Sequence, residues 1–211
     1  MKYYQNRGFF ANIPPVIKNL LIINIIMLIA TYLTGNILYK ELGLFYPASH
    51  FFKPYQFITH MFMHGNIWHL FFNMYALWIF GCALEYVWGS KRFFLFYMAT
   101  GIGAALFYTL VLWLTSSSMP GLLVTPMVGA SGAIYGVLLG YGMLFPNNVL
   151  ELVFPPIALK AKWFVLIFGV LELVLGITNQ GGNIAHFAHL GGMIFAFLLI
   201  RLWRKKSNFY F

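Results

Sequence analysis

Ser131 stands in the run Gly129-Ala130-Ser131-Gly132-Ala133-Ile134-Tyr135-Gly136, at the head of an apolar stretch that continues to Phe145. A serine hydroxyl is a weak nucleophile until a neighbouring base takes its proton, and histidine is the usual base. The stretch reads as a helix, on which Ser131 and Tyr135, four residues apart, share one face. Gly132, Gly136 and Gly140 form an adjacent stripe with small-xxx-small spacing, which lets a second helix backbone come close. Such a stripe also serves packing alone, so a chemical reading needs partners from elsewhere in the chain.

Those partners lie in two other apolar stretches. His69 and Asn73 are four residues apart on one helix face, and His186 and His189 are three apart near the start of the last stretch. Ser, His and Asn brought together suit acyl transfer. Histidine activates the hydroxyl, and preorganised donors such as a His–Asn pair hold the oxyanion of the tetrahedral intermediate. The four acids are Glu41, Glu85, Glu151 and Glu172, with no Asp, so a Ser-His-Asp triad is impossible. A Ser-His dyad remains, its imidazole oriented by some other group.

The elements that must position these residues are membrane helices. The chain has 211 residues, 61% hydrophobic and 8% charged, with a mean hydropathy of +0.79. Ordinary globular chains carry about 25% charged residues. A helical span needs about 20 apolar residues. Six stretches qualify: roughly 16–34, 66–88, 92–114, 129–145, 162–178 and 185–203. The fourth is short, though residues 121–128 could extend it. This predicts an all-α membrane protein, one domain over residues 1–211 with no separate soluble domain. Met1 to Phe10 is polar-aromatic and gives no sign of a cleavable signal peptide. Cys82 stands alone, so neither a disulfide framework nor a cysteine metal site is expected.

Charge sets the expected orientation. Six spans put Lys2, Arg7, Lys18, Lys91, Arg92, Lys160, Lys162, Arg201, Arg204, Lys205 and Lys206 on one side, and only Lys40 and Lys53 on the other. The positive-inside rule makes the first side cytoplasmic, with both termini there. The net charge of +9 is then a topology signal, and no basic stripe interleaved with exposed aromatics suggests nucleic acid. All six histidines (His50, His60, His64, His69, His186, His189) fall in outer loops or at outer ends of spans. The aromatic-rich 35–65 connection, with Phe45, Tyr46, Phe51, Phe52, Tyr55 and Phe57, reads as a structured hairpin in the outer interface.

Three motifs carry a resemblance. Gly129-Ala130-Ser131-Gly132 with Tyr135, His69-Leu70-Phe71-Phe72-Asn73, and Ala188-His189-Leu190-Gly191-Gly192 with Ala196 occur in this order. The chain resembles a rhomboid intramembrane serine protease of the bacterial, six-helix core type. The resemblance implies Ser131 as nucleophile and His189 as general base, with Gly192 giving close approach to the serine helix. His186 is then a neighbour one turn outward. It further implies an oxyanion hole from His69, Asn73 and the Ser131 backbone N–H, and Tyr135 packed on the His189 ring. Gly129, Gly132 and Gly192 support the site, His64 is structural or substrate-side, and residues 178–184 with the fifth span form a lid and gate. Glu85 is expected to be structural, near Lys91 and Arg92. The family's external Trp-Arg is replaced here by Pro54-Tyr55-Gln56, and a stripe glycine by Ala196. Glu172 matches no family catalytic position. It can pair with His186 or a loop amide, or stay protonated in an apolar setting.

The implied function is hydrolysis of peptide bonds in or near transmembrane helices of membrane-protein substrates, through an acyl-enzyme. The expected partners are those substrates and the lipid bilayer, without nucleic acid, metal or other cofactor. The expected location is a bacterial cytoplasmic membrane, the site opening outward. Two other readings compete: a metal-dependent membrane hydrolase or transporter using His60/His64 or His186/His189, and a non-catalytic rhomboid-like escort of membrane clients.

Overall fold

The computed structural model describes residues 13–115, 124–152, 156–178 and 185–206. Apart from Thr115 and Thr178, the expected loop at 115–121 and lid loop at 178–184 lie outside these residues. Chain order gives α1 (Pro15–Thr34), α2 (Asn36–Leu42), and α3 (Gln56–Thr59) with a 3₁₀ turn at His60–Phe62. Next come α4 (Ile67–Ala76), a π-helical turn (Leu77–Gly81), α5 (Cys82–Trp88) and α6 (Ser90–Thr115). Last are α7 (Ser131–Leu144), β1 (Val149–Leu152), β2 (Ile157–Lys160), α8 (Ala161–Thr178) and α9 (Ala185–Lys206).

Among the described residues, five rods are long and apolar enough to cross a membrane: α1, the continuous Ile67–Trp88, α6, α8 and α9. The fourth expected span is shorter, since α7 has only 14 residues. Residues 124–128 do not lengthen it. Pro126 has no N–H to give a helix, and Met127 exchanges two backbone hydrogen bonds with Leu44, at 2.8 and 2.9 Å. The all-α expectation also needs an amendment. The connection after α7 forms a two-stranded antiparallel sheet, with Val149 opposite Lys160 and Leu152 opposite Ile157. Asn147-Asn148 and Pro155-Pro156 mark a loop in the sequence, but each pair precedes a four-residue strand too short to leave a periodic signal.

α7 is the buried centre. Its glycine stripe turns out to face α6: a Cβ on Gly132 would lie 2.5 Å from Ala104 Cβ, and one on Gly136 2.7 Å from Thr100 Cβ. α9 approaches the first turn of α7 from another side, at Gly192. A Cβ there would lie 1.9 Å from the Gly132 carbonyl oxygen, so only glycine fits. α1 and α8 lie outside. α1 buries Ile17, Leu20, Asn24 and Leu28 and turns Ile22, Ile25, Ile26, Ile29 and Leu33 outward. Such exposed apolar rows suit hydrocarbon, which is as apolar as the side chains it meets.

Two polar anchors hold the periphery. The buried Glu85 carboxylate accepts from the backbone N–H groups of Val16 and Ile17 at 2.9 Å each, and from Ser90 Oγ at 2.7 Å. It thereby satisfies donors that the first turn of α1 leaves open. Its bonds thus go to the backbone of α1 and a hydroxyl, where the sequence pointed to Lys91 and Arg92. In the connection before α4, Gln56 is fully buried. Its Oε1 accepts from Phe45 N at 3.3 Å and Lys53 N at 3.1 Å, and its Nε2 donates to the Glu41 and Phe51 carbonyls at 3.0 Å. A neutral amide anchors this connection at the place of the family's Trp-Arg. The connection is built from α2, turns and α3 rather than from strands.

Candidate active site

The site forms at the end of the bundle where α4, α7 and α9 begin. Gly129 precedes α7 at φ 126°, a conformation suited to glycine. Its N–H donates to the His60 carbonyl at 2.9 Å, and a Cβ there would lie 2.8 Å from His69 Nε2. That packing sets His69 beside the first turn of α7. Ser131 opens the helix, so its backbone N–H is among those the helix leaves unpaired, at the positive end of the helix dipole.

His189 reaches Ser131 from α9. Its Nε2 lies 2.8 Å from Ser131 Oγ. The Tyr135 ring, one turn after Ser131, stacks on the imidazole with centroids 4.3 Å apart and planes 7° apart. The third approach comes from α8. Glu172 is buried at 7% exposure, and its Oε2 accepts from His189 Nδ1 at 2.9 Å and from His186 Nδ1 at 2.7 Å. The Tyr135 hydroxyl donates to Glu172 Oε1. One carboxylate therefore gathers donors from α7 and α9 together. Sequence reasoning left Glu172 outside the reactive group. The available signal was its depth in an apolar span, where an acid by default marks function. What hid its geometry is that proximity between α8 and α9 is a tertiary fact.

On α4, Asn66 caps the helix, its Oδ1 accepting from His69 N at 2.8 Å. Asn73 is buried one turn below His69, and its Nδ2 has no hydrogen-bond partner among the described residues. A buried donor without an acceptor is costly unless a ligand supplies one. His64 packs edge-on against His69, ring centroids 5.0 Å apart. It is 1% exposed, which makes it an interior residue and removes it from any substrate-facing surface. His60 is equally interior, its Nδ1 bonded to the Gln56 carbonyl at 2.9 Å.

Glu172, His186 and His189 also place one ligand atom each within 4.8 Å of one another, a spacing able to hold a divalent metal ion. The same nitrogen and oxygen atoms are here bonded to each other, and His189 Nε2 to serine. Among the described residues, His60 and His64 join no such group. The donor set as arranged suits proton transfer at a hydroxyl.

Comparison with known proteins identifies the family. Residues 52–206 match the family model described as "Rhomboid domain". The chain is 36% identical over 138 residues to "Rhomboid protein 1, mitochondrial" of Saccharomyces cerevisiae, covering 65% of this chain and 38% of that one. It is 32% identical over 147 residues to "Rhomboid protease GluP" of Bacillus subtilis, covering 66% and 24%. It is 33% identical over 196 residues to "Rhomboid-like protein 11, chloroplastic" of Arabidopsis thaliana, covering 76% and 61%. In each case the chain spans less than two thirds of the relative's own length.

Proposed function

We propose a function from the premise that the chain belongs to the rhomboid family of integral membrane proteins: it is an intramembrane serine endopeptidase. The observation that carries this is the 2.8 Å approach of Ser131 Oγ to His189 Nε2, between helices 58 residues apart in sequence. His189 Nε2 takes the hydroxyl proton as Ser131 Oγ bonds to the scissile carbonyl carbon. The oxyanion forms beside the Ser131 backbone N–H, His69 and Asn73, whose Nδ2 lacks a partner among the described residues. Collapse breaks the C–N bond, His189 returns its proton to the leaving amine, and an acyl-enzyme on Ser131 remains. Water, deprotonated by the same imidazole, adds to the acyl carbon; the bond to Ser131 Oγ breaks, the imidazolium returns the proton to Oγ, and the acid leaves.

The substrate class is a transmembrane helix of another membrane protein. A 14-residue α7 spans about 21 Å, short of the roughly 30 Å hydrocarbon core. Ser131, at its first residue, therefore sits below one membrane surface. The lysine and arginine distribution assigns both termini to the cytoplasmic side and the site to the other. Residues 1–211 act as one membrane domain.

The test is cleavage of a transmembrane-segment reporter by the purified chain in liposomes. The wild type cleaves, and Ser131→Ala falls by at least ~10⁴-fold with unchanged unfolding temperature. Activity surviving in Ser131→Ala, or abolished in the wild type by a chelator, contradicts the reading. A reporter captured intact by the wild type favours a client-binding role instead.

A further inference from the structure

We infer that Glu172 is a positioning residue for this reaction, holding His189 in the Nδ1–H tautomer from a helix that buries few other side chains. The inference rests on the Ser131–His189 reading and adds a third group from a third helix.

A carboxylate oxygen only accepts hydrogen bonds. With Glu172 Oε2 2.9 Å from His189 Nδ1, that nitrogen carries the ring proton. The lone pair of Nε2 then points at Ser131 Oγ, 2.8 Å away. In the other tautomer Nε2 carries hydrogen and cannot take the serine proton. The stack with Tyr135 does not make this choice, because a parallel ring contact at 7° fixes the plane of the imidazole and leaves open both the 180° flip about Cβ–Cγ and the position of the ring proton. The bond to Nδ1 removes that freedom. Tyr135 and Glu172 thus supply two different constraints on one ring.

The carboxylate is itself fixed. It accepts from His186 Nδ1 at 2.7 Å, from His189 Nδ1 and from the Tyr135 hydroxyl. Three donors on two oxygens are what a buried carboxylate without a Lys or Arg partner requires. Its helix is not fixed in the same way. Of α8, only Ala161, Phe164, Val165 and Glu172 are buried. An apolar cleft of about 470 Å³, lined by Leu139, Val165, Gly169, Leu173 and Met193 among others, opens along the seam of α8 with α7 and α9. In the second half of α8 the polar hold on α9 is Glu172, beside apolar packing of Gly169 on Met193 and Gly176 on Phe187, so the general base is oriented only while this helix is seated.

The test uses the full chain in liposomes as wild type, Glu172→Gln, Glu172→Asp and Ser131→Ala. Gln keeps the shape, but its neutral amide oxygen is a weaker acceptor than a carboxylate and the amide can turn NH₂ toward the two imidazoles, which mixes the tautomers. Expected are a kcat for Glu172→Gln lower by roughly 10²–10⁴-fold, by analogy with amide replacement of a triad acid, and KM within about threefold of wild type. Partial recovery in Glu172→Asp is expected as well. ¹⁵N NMR of labelled histidine should show the Nδ1–H form of His189 in the wild type and a mixture in Glu172→Gln. An unchanged kcat in Glu172→Gln overturns the inference. So does a kcat loss matched by a fall in unfolding temperature with the tautomer unchanged, which assigns Glu172 to holding α8 alone. Activity in Ser131→Ala would instead overturn the underlying reading.

Discussion

Two buried glutamates sit at opposite ends of the bundle. Glu85 accepts from Val16 N, Ile17 N and the Ser90 hydroxyl, groups that neither titrate near neutrality nor react. Glu172 accepts from two imidazoles and a phenol, and one of those imidazoles faces a serine hydroxyl. Both carboxylates are almost wholly buried, at 2% and 7% exposure, so burial does not tell them apart. The chemistry of the donors does. A buried acid bonded to backbone N–H groups closes a helix terminus, whereas one bonded to ring nitrogens sets a protonation pattern.

The comparison can be broken by exchanging the two losses. The largest effect is expected at the reactive end: Glu172→Gln loses kcat, as given above, while unfolding stays near the wild type. At the other end, Glu85→Ala should leave the kcat of the folded protein within about twofold and cost about 3 kcal/mol of stability, since it strips partners from buried donors. Chemical unfolding in detergent beside reporter cleavage measures both. A Glu85→Ala protein that is stable but inactive would erase the distinction between the two acids.

A smaller effect sharpens the boundary of the site. His60 and His64 lie in the connection before α4, outside the spans, and burial pushes them down to about 4 and about 3, with His69 adding to the shift at His64. A histidine depressed in the folded state is protonated more readily in the unfolded chain. Stability from these two is therefore complete above about pH 6.5 and is lost as pH falls from there toward 4. His64→Leu should flatten that slope, since it removes the titrating ring from its buried site. Thermal unfolding from pH 7 to pH 4 checks it, and an unchanged slope would take His64 out of the acid response.

Much of this arrangement was legible in the chain. Apolar length gave the helix boundaries within a few residues, because a bilayer demands long uninterrupted apolar runs. The glycine spacing in α7 correctly implied a close helix, but not that the neighbour was α6. A stripe states that a backbone approaches and is silent on which one. The β1–β2 pair was invisible because four-residue strands leave no period to read. Glu172 was visible as an acid in lipid with His186 among its expected partners, and that pair forms; its bonds to His189 and Tyr135 depended on how α8 lies against α7 and α9, which local patterning does not encode. Gln56 could be seen to replace the family's Trp-Arg, while its four-way anchoring of Phe45, Lys53, Glu41 and Phe51 emerges only from the fold.

The most direct measurement is fluorophosphonate labelling of the detergent-solubilised full chain, comparing wild type with Ser131→Ala, His189→Ala and His186→Ala. The account predicts label on Ser131 in the wild type, none in Ser131→Ala, and a much larger loss of labelling rate in His189→Ala than in His186→Ala. Labelling that survives in His189→Ala and disappears in His186→Ala would contradict it.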